Sequence, residues 1–515
     1  MASNRGMLAA AASVVLVLAA CGGGGEGVDV DGDAETEAPE GAAEGGTLIA
    51  GISSEPDQLD PHVTTAYASF QILENVYDTL VAPDAEGNFE PSLAENWETS
   101  EDGLTWTFTL REGVTFHDGS EFDSADVIYS LERMTGEESS VAWRFATVEN
   151  FDAPDERTVE IQLSDPTPNL LDNIGGYKGM SILSEGAAED LDLTTEANGT
   201  GPFTLDSFSA SGAQLSAFAD HWAGAPMIDG VQFQFTTEST AALTALRTGE
   251  IHWTDNVPPQ DVQSLEGDDE VEVGIAPSID YWYLALNQNE EPWSEPDARR
   301  GVAFALDRES ITEATQFGAA TVNQTAIPAD SVWGHDYAPY EYNAEQAREL
   351  LDSAGVPEGQ PLGIMVVTDT EGVQAAQVMQ ENLAEAGIEV DIQQEEAATW
   401  LDRQGEGDFD AFMWSWIGNL DPFGFYHAQH VCDGTFNFQG YCNEEVDSLL
   451  QQAASETDQD ARKALYDQAA ELIVDDASYI YLYNPDVVQA WAPGLSGYEV
   501  RPDRAINFEQ VRLPE

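Results

Sequence analysis

Basic residues are scarce in this sequence. Seventeen lysines and arginines stand against 96 aspartates and glutamates in a chain of 515 residues, which gives a formal net charge of −79. A protein that binds nucleic acid needs clustered cations to displace the counterions of the phosphates. Nucleic acid is therefore excluded as an expected partner.

Long apolar runs are also missing, because no stretch after Leu18 is long enough to span a bilayer. The high net charge does not imply a disordered chain, since 42% of the residues are hydrophobic and 10% are aromatic, enough to bury large cores. The acidic groups are expected on the surface of a folded protein. Molar salt, where the Debye length is about 3 Å, would screen their repulsion. This composition is typical of halophilic proteins.

The short apolar run from Met7 to Leu18 follows a single cation, Arg5. Its length suits the hydrophobic region of a signal peptide better than a transmembrane helix. The run ends in Leu18-Ala19-Ala20-Cys21, which resembles the lipobox of bacterial lipoproteins. The resemblance implies that Cys21 is diacylated and becomes the new N-terminus. Residues 1–21 are therefore predicted to be a lipoprotein signal peptide.

Residues 22–46 are rich in glycine and acidic residues and contain no aromatic residue, so they are predicted to form a flexible tether. Four acids in this stretch have the spacing of a calcium loop. Ala34 stands where such a loop needs glycine, and Pro39 interrupts it, so a solvated spacer is favoured. The four acids are Asp29, Asp31, Asp33 and Glu40.

The two remaining cysteines, Cys432 and Cys442, form an even pair. Outside the membrane such a pair favours a disulfide. The alternative is a metal site with His427, His430 and Cys432 as ligands, but further ligands are not evident. We expect the disulfide, no metal and no cofactor.

Local signals indicate an α/β protein. Asp123 or Ser124, Asp307 and Asn343 are predicted helix caps, and Gly318 and Gly355 are predicted helix stops. Residues 364–368, 374–386 and 388–392 predict a βαβ unit, which requires parallel strands with a covering helix. Another strand, 409–416, leads into a loop at 417–424.

This loop predicts a ligand pocket. Ligands of open α/β sheets bind beyond the carboxyl ends of the strands. The loop carries Asn419, Asp421 and Phe423, and Trp414 and Trp416 precede it. Alternate residues of a strand share a face, so we assign one tryptophan to the core and leave the other open between core and pocket.

The sequence resembles the extracytoplasmic solute-binding proteins of ABC importers, in family 5, the peptide, oligopeptide and nickel branch. The likeness runs from about Thr47 to the end of the chain. The stretches that carry it are Pro91-Ser92-Leu93-Ala94-Glu95-Asn96-Trp97, Thr105-Trp106-Thr107-Phe108, Phe116-His117-Asp118-Gly119, Asn198-Gly199-Thr200-Gly201-Pro202-Phe203, Ala245-Leu246-Arg247-Thr248-Gly249-Glu250-Ile251, Tyr283-Leu284-Ala285-Leu286-Asn287 and Ala303-Phe304-Ala305-Leu306-Asp307-Arg308.

The resemblance implies an α/β, two-lobed periplasmic-binding-protein-like fold of the large, three-domain type II form, with a hinge between the lobes. The first lobe would comprise residues 47–88, 197–282 and 483–515, and residues 89–196 would form an inserted second domain. The other lobe would be residues 283–482. The hinge would lie near 281–287 and 483–486.

Two departures from the family pattern bear on the ligand. Peptide binders place an acid shortly after the Trp-x-Gly of the pocket loop, whereas Asn419 follows Gly418 here and the acid is Asp421. Dipeptide binders carry an arginine near the start of the βαβ helix, and residues 368–378 contain none. A longer peptide held through its backbone needs neither group. A cationic or neutral solute such as a sugar is the alternative.

The resulting prediction is a monomeric, lipid-anchored receptor on the outer face of the cell membrane that delivers a solute, an oligopeptide first, to the permease of an ABC importer. Nucleophile-elbow, zinc-protease and phosphate-loop motifs are absent from the sequence, so we do not expect an enzyme. A secreted hydrolase and a lipoprotein that senses or chaperones are the other classes considered. The predicted ligand contacts are Glu55, Tyr281, Trp282, Trp416, Asn419 and Asp421.

Overall fold

The computed structural model describes residues 42–43, 45–84, 87–176, 179–368 and 370–514. This part of the chain contains both helices and strands, as expected for an α/β protein. No helix there is both long and apolar enough to cross a membrane. The α-helices are Tyr67–Leu73, Ser124–Met134, Ala187–Asp190, Ser239–Thr248, Val262–Leu265, Pro296–Ala305, Arg308–Gln316, Ala344–Ser353, Thr370–Glu385, Ala397–Glu406, Pro422–His430, Glu444–Ser455 and Gln459–Asp475.

One large sheet of 12 strands runs through both lobes. Its central strand is Ile480–Trp491, which also pairs with Glu272–Pro277 and Ala320–Val322. The other ten strands, counting the central one, lie side by side in the sheet. Their order from one edge to the other is Ile388–Glu395, Gln360–Val367, Ala411–Trp416, Tyr281–Leu286, Ile480–Trp491, Trp253–Thr254, Thr47–Ile52, Gly230–Phe235, Gly212–Ala217 and Phe203–Ser209.

A separate four-stranded sheet belongs to the inserted domain. Its order is Ala94–Thr99, Thr105–Leu110, Thr158–Leu163 and Val148–Asp155. Thr105–Leu110 alternates strictly, with Trp106, Phe108 and Leu110 buried, so one face of the sheet packs inward. Two short pairs complete the strands: Val81–Pro83 with Phe89–Pro91, and Ala42–Ala43 with Leu513–Pro514.

Three large hydrophobic clusters occupy different parts of the chain, and the predicted domain bounds, which these clusters cross at Leu80, Leu183 and Tyr281, stay predictions. The largest is built from residues between Tyr281 and Tyr483. A second combines residues 48–77, 183–253 and 495–511, so the tail completes the first lobe. The third lies within residues 80–182, which include most of the predicted inserted domain. Each region therefore has its own core.

The predicted helix caps are found in the structure. The Asp123 carboxylate caps Ser124–Met134 in a reciprocal capping box with Asp126, and Asp307 and Asn343 cap Arg308–Gln316 and Ala344–Ser353. Such caps satisfy backbone N–H groups that have no partner within the helix. The end of Arg308–Gln316 differs from the predicted stop at Gly318, because Phe317 itself takes the left-handed conformation (φ 52°) one residue earlier.

The βαβ unit is also found. Gln360–Val367 and Ile388–Glu395 are parallel, with Gln360 opposite Ile388, and Thr370–Glu385 connects them.

The predicted loop at 417–424 is shorter than expected. Asp421 and Pro422 begin the helix Pro422–His430, since proline fits the first helical position and aspartate the cap.

Candidate ligand-binding site

The chain crosses between the lobes at two places. Ile480–Trp491 pairs first with Tyr281–Leu286 of the second lobe and then with Glu272–Pro277 of the first. The other crossing is residues 278–280, which lie between those two partner strands, just before the predicted segment at 281–287. Tyr281–Leu286 itself pairs with Ala411–Trp416 and with Ile480–Trp491. The hinge positions near 281–287 and 483–486 stay predictions.

Asp280 fixes the crossing at residues 278–280. Its side chain is nearly buried, one carboxylate oxygen accepts the Gly418 N–H at 2.9 Å, and the other lies 2.9 Å from the Arg504 guanidinium. A Cβ at Gly418 would lie 1.9 Å from the carbonyl oxygen of Ile279, so this approach requires glycine. One carboxylate thus fixes both the pocket loop of the second lobe and the tail of the first.

The first lobe surrounds Arg504 with polar groups. The Tyr67 hydroxyl donates to the Arg504 carbonyl, and the Asp255 carboxylate accepts from the Ser53 N–H and the Gln71 amide, each at 2.8 Å. The charge of Asp280 raises the pKa of Arg504, and burial raises the pKa of Asp255. Because Tyr67, Asp255 and Arg504 remain half-buried, they can contact a ligand.

Residues of both lobes line a cavity of about 610 Å³, which we call the aromatic cavity. Asn256 and Gln260 come from the first lobe and Glu371 and Trp414 from the second, while Trp282 lies at the boundary between the two predicted lobes. The Trp282 ring stacks on Tyr483 with centroids 6.1 Å apart, and the Tyr483 hydroxyl donates to Glu371 at 2.9 Å. The cavity thus combines aromatic faces, amides and a carboxylate, as small-molecule sites do.

A second cavity of about 500 Å³ includes Gly87 and Asn88, which lie directly before the predicted inserted domain. Asn419 lines this cavity and accepts a hydrogen bond from Arg144 of the inserted domain. The Arg144 side chain is only 3% exposed and pairs with Asp172 at 3.1 Å. This contact joins the inserted domain to the pocket loop of the second lobe.

Trp282 and Asn419 are the two predicted contacts that line these cavities. Trp416 is half-buried and packs on Phe436 with ring centroids 5.2 Å apart, whereas Trp414 lines the aromatic cavity. Glu55 is exposed in the turn after Thr47–Ile52. Its role as a ligand contact stays a prediction.

Asp421 and Tyr281 lie elsewhere. The Asp421 carboxylate caps Pro422–His430 through the Phe423 N–H and binds Arg462 with both oxygens, at 2.6 and 2.7 Å. Tyr281 is 1% exposed and donates to Gln429. We therefore assign both side chains to the structure of the second lobe, because their polar atoms already have partners inside it.

Four site residues were missed in the sequence: Arg144, Asp255, Glu371 and Arg504. Arg144 and Arg504 lie hundreds of residues from their partners Asn419 and Asp280, so no local signal could have found them. Glu371 had a signal, since it follows the carboxyl end of Gln360–Val367 at the start of the covering helix.

Cys432 and Cys442 are joined by a disulfide in the structure. His430, which the metal alternative used, instead bonds to the Ser478 hydroxyl at 2.9 Å and the Tyr481 hydroxyl at 3.0 Å. Within the described ranges no three His, Cys, Asp or Glu side chains are grouped to hold a metal. Cys21 and the calcium-like acids lie outside the described residues.

Two lobes joined by two short crossings, with cavities lined from both sides, define a hinged solute-binding protein. Closure about the crossings would bring both walls onto one ligand. The model of the bacterial extracellular solute-binding proteins, family 5, matches residues 88–437, more than half of the chain. The chain belongs to this family, and the predicted family and fold class are confirmed.

Similar proteins agree. The glutathione-binding protein GsiB of Escherichia coli K12 is 27% identical over 486 residues, which cover 90% of this chain and 94% of that protein. The ABC transporter-associated periplasmic binding protein DppA of Helicobacter pylori, solved with the peptide STSA, is 28% identical with a TM-score of 0.81, covering 92% of this chain and 99% of that one. CtaP of Listeria monocytogenes shares the fold at a TM-score of 0.83 and 23% identity, covering 92% of this chain and 100% of that one.

Proposed function

We propose that this protein captures a peptide outside the cell and delivers it to the permease of an ABC importer. The observation that carries the proposal is the inter-lobe site, in which aromatic, amide and carboxylate groups of both lobes converge at the hinge. The similarity to DppA, solved with a peptide, and to GsiB, named for glutathione, supports the peptide class.

An oligopeptide is favoured over a dipeptide. The position after Gly418 is Asn419, whose oxygen already accepts from Arg144, so a carboxylate for a ligand ammonium is lacking there. The first turn of Thr370–Glu385 carries Glu371 and no cation, so it offers nothing to a ligand carboxylate. A longer peptide can instead be held through backbone hydrogen bonds and side-chain pockets.

The location and partners belong to the same proposal. Cys21 would carry the lipid that holds a monomer at the outer face of the membrane, and residues 22–46 would tether the folded lobes to it. Replacing Cys21 by alanine should abolish labelling by a radioactive fatty acid and release the protein from the membrane fraction. Unchanged membrane retention would contradict the anchor.

Ligand-dependent thermal unfolding tests the function. We would unfold the chain from Thr47 onward in molar salt with dipeptides, tri- to pentapeptides, sugars and polyamines. A ligand at 100 times its dissociation constant adds about 2.7 kcal/mol, a shift of roughly 3 °C for a chain of this size. Shifts with longer peptides alone support the proposal. Shifts with sugars or free cations alone would replace the ligand class, and consumption of a compound would point to a hydrolase.

A further inference from the structure

The second cavity, of about 500 Å³, is lined mainly by apolar side chains. They come from the crossing at residues 278–280, from the segment 327–333, and from the pocket loop with the helix that follows it. An apolar group that fills such a cavity is removed from water, with a gain in free energy proportional to the area buried. The principal apolar side chains are Ile279, Ile327, Pro328, Trp333, Leu420 and Phe425.

The two aromatic rings of this lining are fixed by the core of the second lobe. Phe425 is 1% exposed and packs on Tyr281 with ring centroids 5.8 Å apart. Trp333 packs on Tyr466 with ring centroids 6.3 Å apart, and the Arg462 guanidinium lies 5.2 Å from the centre of its ring. Because both rings are held before a ligand arrives, they lose little conformational freedom when one binds.

The charged side chains of the described lining have contacts of their own. The Arg501 guanidinium donates to the Asp503 carboxylate at 2.9 and 3.1 Å and to the carbonyl oxygen of Asp84 at 3.2 Å. The Asp84 carboxylate accepts the Asn88 N–H at 2.8 Å within its own turn, and Asp330 is exposed to solvent. An apolar group can therefore enter against the hydrophobic walls while these polar contacts stay in place.

The second cavity adjoins the proposed peptide site along the pocket loop. Trp414 and Ser415 line the aromatic cavity, and Asn419 and Leu420, a few residues further on, line the second cavity. An extended peptide advances about 3.3 Å per residue and turns successive side chains to opposite sides. A peptide that lies along residues 414–420 therefore passes both cavities and can place one side chain in the second.

We propose that the second cavity binds a large apolar side chain of the bound peptide, that of a leucine or phenylalanine. This side chain would lie against Trp333, Leu420 and Phe425. The inference rests on the proposed peptide function, since it names a side chain that the peptide carries. A free apolar molecule has the same chemistry, so the test must separate the two sources.

The test compares leucine with asparagine, which has nearly the same shape but a polar amide. Tetra-alanine peptides with either residue at each position in turn are titrated calorimetrically into the chain from Thr47 onward, at one fixed molar salt concentration. At one position we expect the leucine peptide to bind at least about tenfold more tightly than the asparagine peptide, with a more negative heat-capacity change. N-acetyl-leucine amide, a free apolar compound, is titrated in parallel and is expected to bind far more weakly than the leucine peptide.

Three variants assign the preference to this cavity. Leu420→Asn makes one wall polar and should lower the leucine-to-asparagine ratio at least about threefold. Its matched control, Leu401→Asn, changes a leucine that is 57% exposed on Ala397–Glu406 and should keep the full ratio. Ser331→Trp places a bulky side chain on the lining, so it should weaken binding of the leucine peptide at least about tenfold while tetra-alanine binds as before, even if Leu420→Asn folds poorly.

The outcomes separate the inference from the function on which it rests. Peptide binding with a leucine-to-asparagine ratio near one at every position would overturn the apolar inference and leave the peptide function standing. A full ratio that both Leu420→Asn and Ser331→Trp leave unchanged would overturn the assignment to the second cavity. Binding of N-acetyl-leucine amide without binding of any peptide, or no peptide binding at all, would overturn the peptide function itself.

Discussion

Replacing Asp421 by asparagine separates a structural role from a ligand-binding one. Asparagine is as good a helix cap as aspartate, so the start of Pro422–His430 is preserved. The substitution removes the negative charge that faces Arg462. That pair is buried, with side chains 10% and 4% exposed, and the arginine also packs against Trp333 and Tyr466.

The loss of folding stability should be large, because the buried Arg462 guanidinium is left without its counter-charge. Breaking such a pair by removing one partner costs about 3 to 5 kcal/mol. At an unfolding entropy of about 2.1 cal/mol/K per residue, this lowers the midpoint by roughly 7 to 12 °C if the second lobe, about 200 residues, unfolds alone. If the whole chain unfolds as one unit, the decrease is roughly 3 to 5 °C.

The assay is thermal and urea unfolding of the wild type and Asp421→Asn without ligand, together with peptide affinity by calorimetry. Asp433→Asn removes an exposed charge nearby and serves as the matched control. Adding Arg462→Met to Asp421→Asn should restore much of the stability, because an apolar side chain has no charge to desolvate. A midpoint within about 1 °C of wild type, with at least tenfold weaker peptide binding, would refute the structural role and restore Asp421 as a ligand contact.

Three further predictions follow from the same region and its surroundings. Burial raises the pKa of Asp172 to about 6 despite its pairing with Arg144, so the folded state holds a proton that the unfolded state releases, and stability falls as pH rises from about 4 to 6. Asparagine at this position cannot ionise, so the free energy of unfolding of Asp172→Asn minus that of the wild type should rise by roughly 2 to 3 kcal/mol from pH 4 to pH 7. Urea unfolding at several pH values measures this difference, and a value independent of pH would contradict the prediction. Gly418→Ala should weaken peptide binding at least tenfold, because the new Cβ would lie 1.9 Å from the carbonyl oxygen of Ile279. The control Gly405→Ala places a Cβ in open space and should bind peptide normally in the same calorimetric titration. Reduction of the Cys432–Cys442 disulfide, whose cysteines are 10 residues apart, should lower the free energy of unfolding by about 3 kcal/mol. Thermal unfolding with and without reductant measures this loss. An unchanged midpoint would show that the bond does not restrict the unfolded chain.

Features set by neighbouring residues were predictable from the sequence. Asp123, Asp307 and Asn343 cap helices through backbone groups two or three residues away, and such contacts are written into the local sequence. The βαβ unit at 360–395 was predictable because its apolar periodicity changes twice between clear stops. The same local chemistry explains why the pocket loop is shorter than predicted, since Asp421-Pro422 is itself a helix start.

Features set by distant residues were not predictable. An aspartate after a tryptophan-rich strand looks equally suited to a pocket and to an ion pair, and the partner Arg462 lies 41 residues further along. Arg144 and Asn419 are 275 residues apart, so only the assembled fold brings them together. Proximity to the predicted hinge favours Tyr281 as a pocket residue, but its ring packs on Tyr283, Phe425 and Tyr481 and is buried.

The strand Ile480–Trp491 has a consequence for the order in which the molecule folds. It occupies the middle of the large sheet, between Tyr281–Leu286 and Trp253–Thr254, yet it is synthesised after every strand with which it pairs. Until it arrives, each lobe ends in an unpaired strand edge, and the first lobe also lacks the core residues Leu495, Ile506 and Phe508. Because contacts so distant in sequence form slowly, the large sheet of the growing chain stays incomplete until Ile480–Trp491 is available. Removal of the last 36 residues would therefore leave neither lobe complete.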